Sequence, residues 1–159
     1  VRISESFQKL PSSTRRAVAS LYVGLALTVI ATVLVPIVVA YATNSYTNYI
    51  QNAYPDYSTA QVDNYRQTIA IYLVVNGVLG VLAWLWIARQ ARRQTRTAPF
   101  LAVVLFVLGV CWALFNLLVK DSTGYPALTT LMGVIGLVPA IAGLVAVVQL
   151  WRAPTTSRA

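Results

Sequence analysis

The sequence predicts an all-α integral membrane protein: a four-transmembrane-helix up-down bundle with both termini cytoplasmic and an extracytoplasmic helical extension of helices 1 and 2. Three observations carry that prediction. First, four charge-free runs are long: 39 residues between Arg16 and Asp56, 22 between Arg66 and Arg89, 23 between Arg96 and Lys120, and 30 between Asp121 and Arg152. A helix rising ~1.5 Å per residue needs roughly 20 residues to cross ~30 Å of hydrocarbon. Second, the runs are continuously apolar, whereas a lipid-facing barrel strand alternates over about ten residues. Third, the charge is sided.

The formal net charge of +8 is distributed by topology. Arg2, Lys9, Arg15 and Arg16 precede the first run, Arg89, Arg92, Arg93 and Arg96 separate the second from the third, and Arg152 and Arg158 follow the fourth. Only Arg66 and Lys120 remain for the other side. Lys and Arg concentrate in cytoplasmic loops, so both termini and the arginine loop are assigned there. These basic segments are short and adjoin the membrane, where anionic headgroups occupy them; nucleic acid is not a predicted partner. The expected anionic-lipid contacts are Arg15, Arg16, Arg89, Arg92, Arg93 and Arg96.

The elements follow in order as one membrane domain, 1–159. Residues 1–12 form a cytoplasmic segment in which Ile3, Phe7 and Leu10 share a helical face, and Pro11 ends it. Ser12 or Ser13 then caps the first span, 17–41. Ala40-Tyr41-Ala42 has the small-x-small form of a signal cleavage site, but the apolar run before it is longer than the about 7 to 15 residues of a signal core, so the span is expected to be retained. Residues 42–67 form an outer helical hairpin. Tyr46, Tyr49, Ile50 and Ala53 recur at helical spacing, carrying the first helix beyond the membrane; Pro55 and Asp56 turn the chain, and Ser58 with Gln61 makes a capping box. Val62, Tyr65, Ile69 and Tyr72 lead into the second span, 68–88. A basic loop, 89–98, the third span, 99–119, an outer turn, 120–126, the fourth span, 127–151, and a cytoplasmic tail, 152–159, complete the chain.

Between membrane helices, close approach of small residues replaces the hydrophobic effect. Each span has such a stripe: Ala17, Ser20, Gly24, Thr28 and Ala31; Asn76, Gly80 and Ala83 beside Gly77; Ala102, Gly109, Ala113 and Asn116; Thr129, Gly133, Gly136, Ala140 and Gly143. Their spacing of threes and fours is the seam of a left-handed bundle. Trp84, Trp86 and Trp151 stand just inside the arginines, as interfacial anchors do. Cys111, the single cysteine, reads as a small buried hydrophobe.

Chemistry is bounded by what is missing. There is no histidine, and the four acids, Glu5, Asp56, Asp63 and Asp121, all lie outside the spans. That leaves no familiar serine triad, zinc site, haem or magnesium-dependent phosphotransferase, and no intramembrane acid for proton coupling. No catalytic residue, cofactor or metal is predicted. The remaining intramembrane polarity is neutral: Asn76, with Thr28 and Thr32 at similar depth, marks either a packing contact or a pocket, and Pro36 frees the carbonyl of Thr32 beside it. Pro139 does the same to Ile135, and Asn116 lies near the hydrated end of its span. Tyr46, Tyr49, Tyr54, Tyr57 and Tyr65 make either an aromatic belt or a partner-docking surface.

Ten arginines against two lysines, with abundant Ala and Val, point to a GC-rich bacterial genome and hence the plasma (inner) membrane. The expected function is non-enzymatic, an accessory or scaffold subunit of a membrane complex, partnered by another membrane protein or by a second copy. The alternative is a small carrier or flippase for a lipid-linked or small amphipathic solute, not proton-coupled through an intramembrane acid.

Overall fold

The computed structural model describes residues 12–39, 45–121 and 123–153. Helix α1 spans Ser12–Val29, passes through a π-helical stretch, Ile30–Leu34, and resumes at Val35–Ile37. Helix α2 is Ser45–Ala53, α3 is Thr59–Arg92, α4 is Ala98–Leu118 and α5 is Thr130–Arg152. Four helical stretches, Ser12–Leu34, α3, α4 and α5, are long and apolar enough to cross a membrane, which marks a multi-pass membrane protein. The expected face of Ile3, Phe7 and Leu10, residues 40–44 at the first turn of the hairpin, Arg2, Lys9 and Arg158 lie outside the described residues.

Local chemistry sets the ends. Ser58 accepts the Gln61 amide N–H at 3.4 Å while its own N–H donates to Gln61 Oε1 at 2.9 Å, so both orphan donors are satisfied and α3 starts at Thr59. Nothing breaks the helix between the hairpin arm and the span expected from residue 68, so the two form one 34-residue rod. It stops where Gln94 turns to φ 51°, letting Gln94 N–H reach Ala91 O at 3.1 Å and Thr95 N–H reach Gln90 O at 3.3 Å. Pro99 sits in the first turn of α4, where its missing N–H is harmless. In α5, Thr129 caps the Met132 N–H at 3.3 Å. The fourth helix therefore begins three residues later than the expected 127. The turn before it closes through an antiparallel bridge between Lys120 and Pro126, with Gly124 at φ 82°.

The π-helical stretch in α1 has a chemical cause. Thr28 and Thr32 donate to the carbonyls of Gly24 and Thr28, at 2.8 and 2.7 Å, and Pro36 brings no N–H for Thr32. With three perturbations in nine residues the ladder slips, and the Val35 N–H bonds Ile30 O, five residues back.

Helix α1 packs on α3 and α5, and α4 packs on α5; of the neighbouring spans, α3 and α4 touch least, although they are consecutive. Gly24 faces Trp84 and Gly77 faces Thr32, while Gly133 faces Leu117 and Gly143 faces Phe106, so position numbers fall along one helix as they rise along its neighbour. Two separate cores result. Ala17, Val18, Leu21, Ile87, Ala88 and Leu150 anchor the one nearest Arg89–Arg96, the arginine end. Tyr46, Ile50, Val62, Leu73, Leu128 and Met132 form the other, at the tyrosine end.

Two sequence expectations are corrected. Cys111 is exposed, because α4 packs mainly on α5 and turns the rest of its surface outward. Trp84 is not an interfacial anchor: its ring crosses to α1, whereas Trp86 and Trp151 do face outward, at 52% and 63% exposure.

Candidate functional site

Between the two cores lies a cavity of about 230 Å³. Trp84 stands on its arginine side and Leu128 and Met132 on its tyrosine side, and Gly80, Ala83, Gly109, Ala113, Gly136 and Ala140 are among its walls. Thr28, Thr32 and Asn76, the predicted intramembrane polar residues, all line it. Among the described residues no charged side chain does. An apolar space of ~150 Å³ inside a protein stays dry and admits benzene, so this one has room for a larger hydrocarbon segment.

The small-residue stripes divide into two kinds. A Cβ on Gly24 would come closer than 3.0 Å to three atoms of the Trp84 ring; on Gly77 it would crowd the Thr32 side chain, and on Gly80 it would stand 2.9 Å from Thr28 Cγ2. Gly133 and Gly143 are similarly covered, by Leu117 and Phe106. These five bring helices together as the stripes predict. Gly109 and Gly136 do not, since a Cβ on either meets nothing within 4 Å. Their missing side chains leave the cavity open.

Polarity around the cavity is spent internally. The Trp84 indole N–H donates to Thr28 Oγ1 at 2.7 Å, which itself donates to Gly24 O. Asn76 belongs to a closed ring of four bonds between α3 and α4. Its Nδ2 donates to Tyr72 O at 2.8 Å and its Oδ1 accepts the Trp112 indole N–H at 2.8 Å. Asn116 Nδ2 donates to Trp112 O at 2.8 Å and its Oδ1 accepts the Tyr72 hydroxyl at 2.6 Å. Each helix contributes residues four apart on one face, so the two i, i+4 pairs interlock. With amides and indoles committed to one another, the cavity offers little to an ion or a sugar and much to a hydrocarbon chain.

The ring ties together the neighbouring spans that otherwise touch least. On its arginine side, Gly80 and Ala83 of α3 and Gly109 of α4 line the cavity with little bulk, and Gly109 is exposed as well.

The five predicted docking tyrosines are turned toward the chain itself. Tyr46 is fully buried and donates to Ala127 O at 2.9 Å; Tyr49 donates to Pro126 O at 2.6 Å; Tyr54 bonds the Asp121 carboxylate. Tyr54 stacks on Tyr57, with centroids 4.5 Å apart, and leans on Tyr65 at 5.5 Å. They fasten the turn that carries Leu128, and so the roof of the cavity. Burial is the main cause of a raised hydroxyl pKa at Tyr46 and at Tyr49; Tyr65 and Tyr49 add to it at Tyr46, and Asp121 and Tyr125 at Tyr49. The arginines fall at the opposite end: Arg15, Arg16, Arg89, Arg93 and Arg96 are exposed and Arg92 is half-buried.

Trp112 is the candidate-site residue that the sequence pattern leaves unmarked; Tyr72 enters it only as part of an apolar stripe, Trp84 as an interfacial anchor, and Asn116 as a residue near water rather than in a bond network. The signal was present in part: Tyr72 with Asn76 and Trp112 with Asn116 are two hydrogen-bonding pairs at i, i+4 inside apolar runs. Comparison of the chain with protein families, curated proteins and solved structures finds no match in any of the three.

Proposed function

We propose that this chain is a non-enzymatic bacterial inner-membrane protein, an up-down bundle with both termini in the cytoplasm and its tyrosine hairpin outside. We propose further that it binds the hydrocarbon part of an amphipathic molecule inside the bundle, as a small carrier or lipid-handling protein. The observation that carries this reading is the cavity itself, lined by apolar walls, kept open by Gly109 and Gly136, and free of any charged side chain. The absence of charge from its walls also argues for passive binding rather than proton-coupled transport.

The experiment uses tryptophan quenching by a lipid brominated on its acyl chain. In the Trp86→Phe/Trp151→Phe background only Trp84 and Trp112 emit, and both line the cavity. Brominated phosphatidylcholine added to the detergent-solubilised chain should quench them, and Gly136→Leu, which fills the cavity, should remove about half of that quenching by shielding Trp84. Gly109→Leu fills it from the opposite helix, and retained helicity and melting midpoint certify both variants. Equal quenching in both filled variants and the background chain overturns the reading.

A second reading, an accessory or scaffold subunit, draws on α4. Phe100, Leu108 and Leu118 are 69%, 59% and 69% exposed, leaving an apolar ridge for a partner helix or a second copy of this chain. It predicts a stable complex in gentle detergent, lost when Leu108 is changed to Ala together with Phe100.

A further inference from the structure

The cavity reading leaves open which amphipathic molecule is held, and three features of the molecule bear on its headgroup and its route. The first is the depth of Gly80 and Gly109, which line the cavity from α3 and α4, with Gly109 exposed. Gly80 lies twelve residues along α3 from Arg92, ~18 Å at ~1.5 Å per residue. Gly109 lies eleven residues along α4 from Ala98, ~16 Å by the same rise. Both are close to one leaflet's share, ~15 Å, of a ~30 Å hydrocarbon core.

The second feature is charge. Helices α3 and α4 are the two joined by the arginine loop, so Arg89, Arg92, Arg93 and Arg96 stand where a lipid lying along their seam would place its headgroup. Arg15, Arg16 and Arg152 share this end, and among the described residues no acid does; Asp56, Asp63 and Asp121 all belong to the tyrosine end. The third is the ring of Tyr72, Asn76, Trp112 and Asn116. It bridges α3 and α4 on the tyrosine side of Gly80 and Gly109 and so bars the seam toward that end.

Resting on the cavity reading, we infer that the ligand is an anionic phospholipid of the arginine-side leaflet. Its phosphate pairs with the arginine loop, and one acyl chain runs along the α3–α4 seam and turns into the cavity between Gly80 and Gly109. The seam is too narrow at the ring, and too rich in acids beyond it, to take the same lipid from the other leaflet.

The test compares brominated phosphatidylglycerol with brominated phosphatidylcholine in the Trp86→Phe/Trp151→Phe background. Phosphatidylglycerol should reach half-maximal quenching at a severalfold lower concentration. The exposed pair Arg89→Ala/Arg93→Ala should weaken it by roughly fivefold per arginine while leaving phosphatidylcholine unchanged. Gly136→Leu should reduce quenching by both lipids. If the two lipids quench at equal concentrations, yet Gly136→Leu still blocks both, the anionic assignment falls and the cavity reading stands. If phosphatidylglycerol is preferred but Gly136→Leu changes nothing, the headgroup binds without its tail entering, and both fall. Circular dichroism and melting of the arginine variant separate lost binding from lost fold.

Discussion

Glycine does opposite things at two depths of this bundle, and the difference is measurable. Gly24 is covered by the Trp84 ring, so Gly24→Ala must displace a large aromatic that is also hydrogen-bonded to Thr28. Overpacking of that kind costs about 1 to 3 kcal/mol. Gly136→Ala adds its methyl to empty space and should stay within about 0.5 kcal/mol of the natural chain. Equilibrium unfolding in mixed micelles distinguishes them, and equal losses at both positions would show that the glycines all serve packing. Nothing in the sequence separates these two kinds, because a glycine that admits a neighbour and one that keeps a void open look alike at helical spacing. Asn76, Thr28 and Thr32 were legible for the reverse reason: polar side chains stand out in apolar runs. Trp84 was misread because tryptophan close to arginines has the signature of an interface, and only the partner helix reveals that the ring points inward.

At the level of elements, the tyrosine hairpin is the structure's fastening rather than its exposed surface. Helix α2 and Tyr54 just beyond it hold the turn between α4 and α5 through three hydroxyls, each bonded to a residue of that turn. Because the hydroxyl pKa values of Tyr46 and Tyr49 are raised above the ordinary value of 10.0, folding favours their neutral forms. The linkage sign follows: their contribution is fully present below about pH 10 and is lost as pH climbs through the raised folded values. The melting midpoint should accordingly be flat from neutrality to about pH 10 and fall beyond it. Tyr46→Phe should lower the neutral plateau by about 1 kcal/mol, the worth of its bond to Ala127, and blunt the alkaline fall. An undiminished fall in that variant would assign the alkaline loss to other groups. The capping box at Ser58 was readable residue by residue, being a local motif. The π-helical stretch was only half readable, since Thr28, Thr32 and Pro36 signal a disturbed ladder without saying how it resolves.

The molecule as a whole consists of two cores separated by a void, and that division follows from where its bulk lies. Aromatic residues gather at the tyrosine end, Leu21, Ile87 and Leu150 pack among alanines at the arginine end, and glycines and alanines line the void between them. Four long apolar helices were legible from run length alone, because bilayer thickness is an external ruler. The order of helices around the bundle was not, since each stripe fits any other, and the weak α3–α4 seam runs against the economy of packing consecutive helices together. Orientation in the membrane rests on the charges. Seven of the arginines at described positions lie at one end, against Arg66 and Lys120 with three acids at the other. Phosphatase fusions after Asp56 or Gly124 should therefore be active outside the cytoplasm, and a fusion after Arg96 inactive. Replacing Arg89, Arg92, Arg93 and Arg96 by Ala removes the bias of the central loop but leaves Arg15 and Arg16, so the hairpin should remain outside while the fusion after Arg96 becomes partly active. Activity after Arg96 in the natural chain would invert the bundle, and with it the leaflet that faces the arginine end of the cavity.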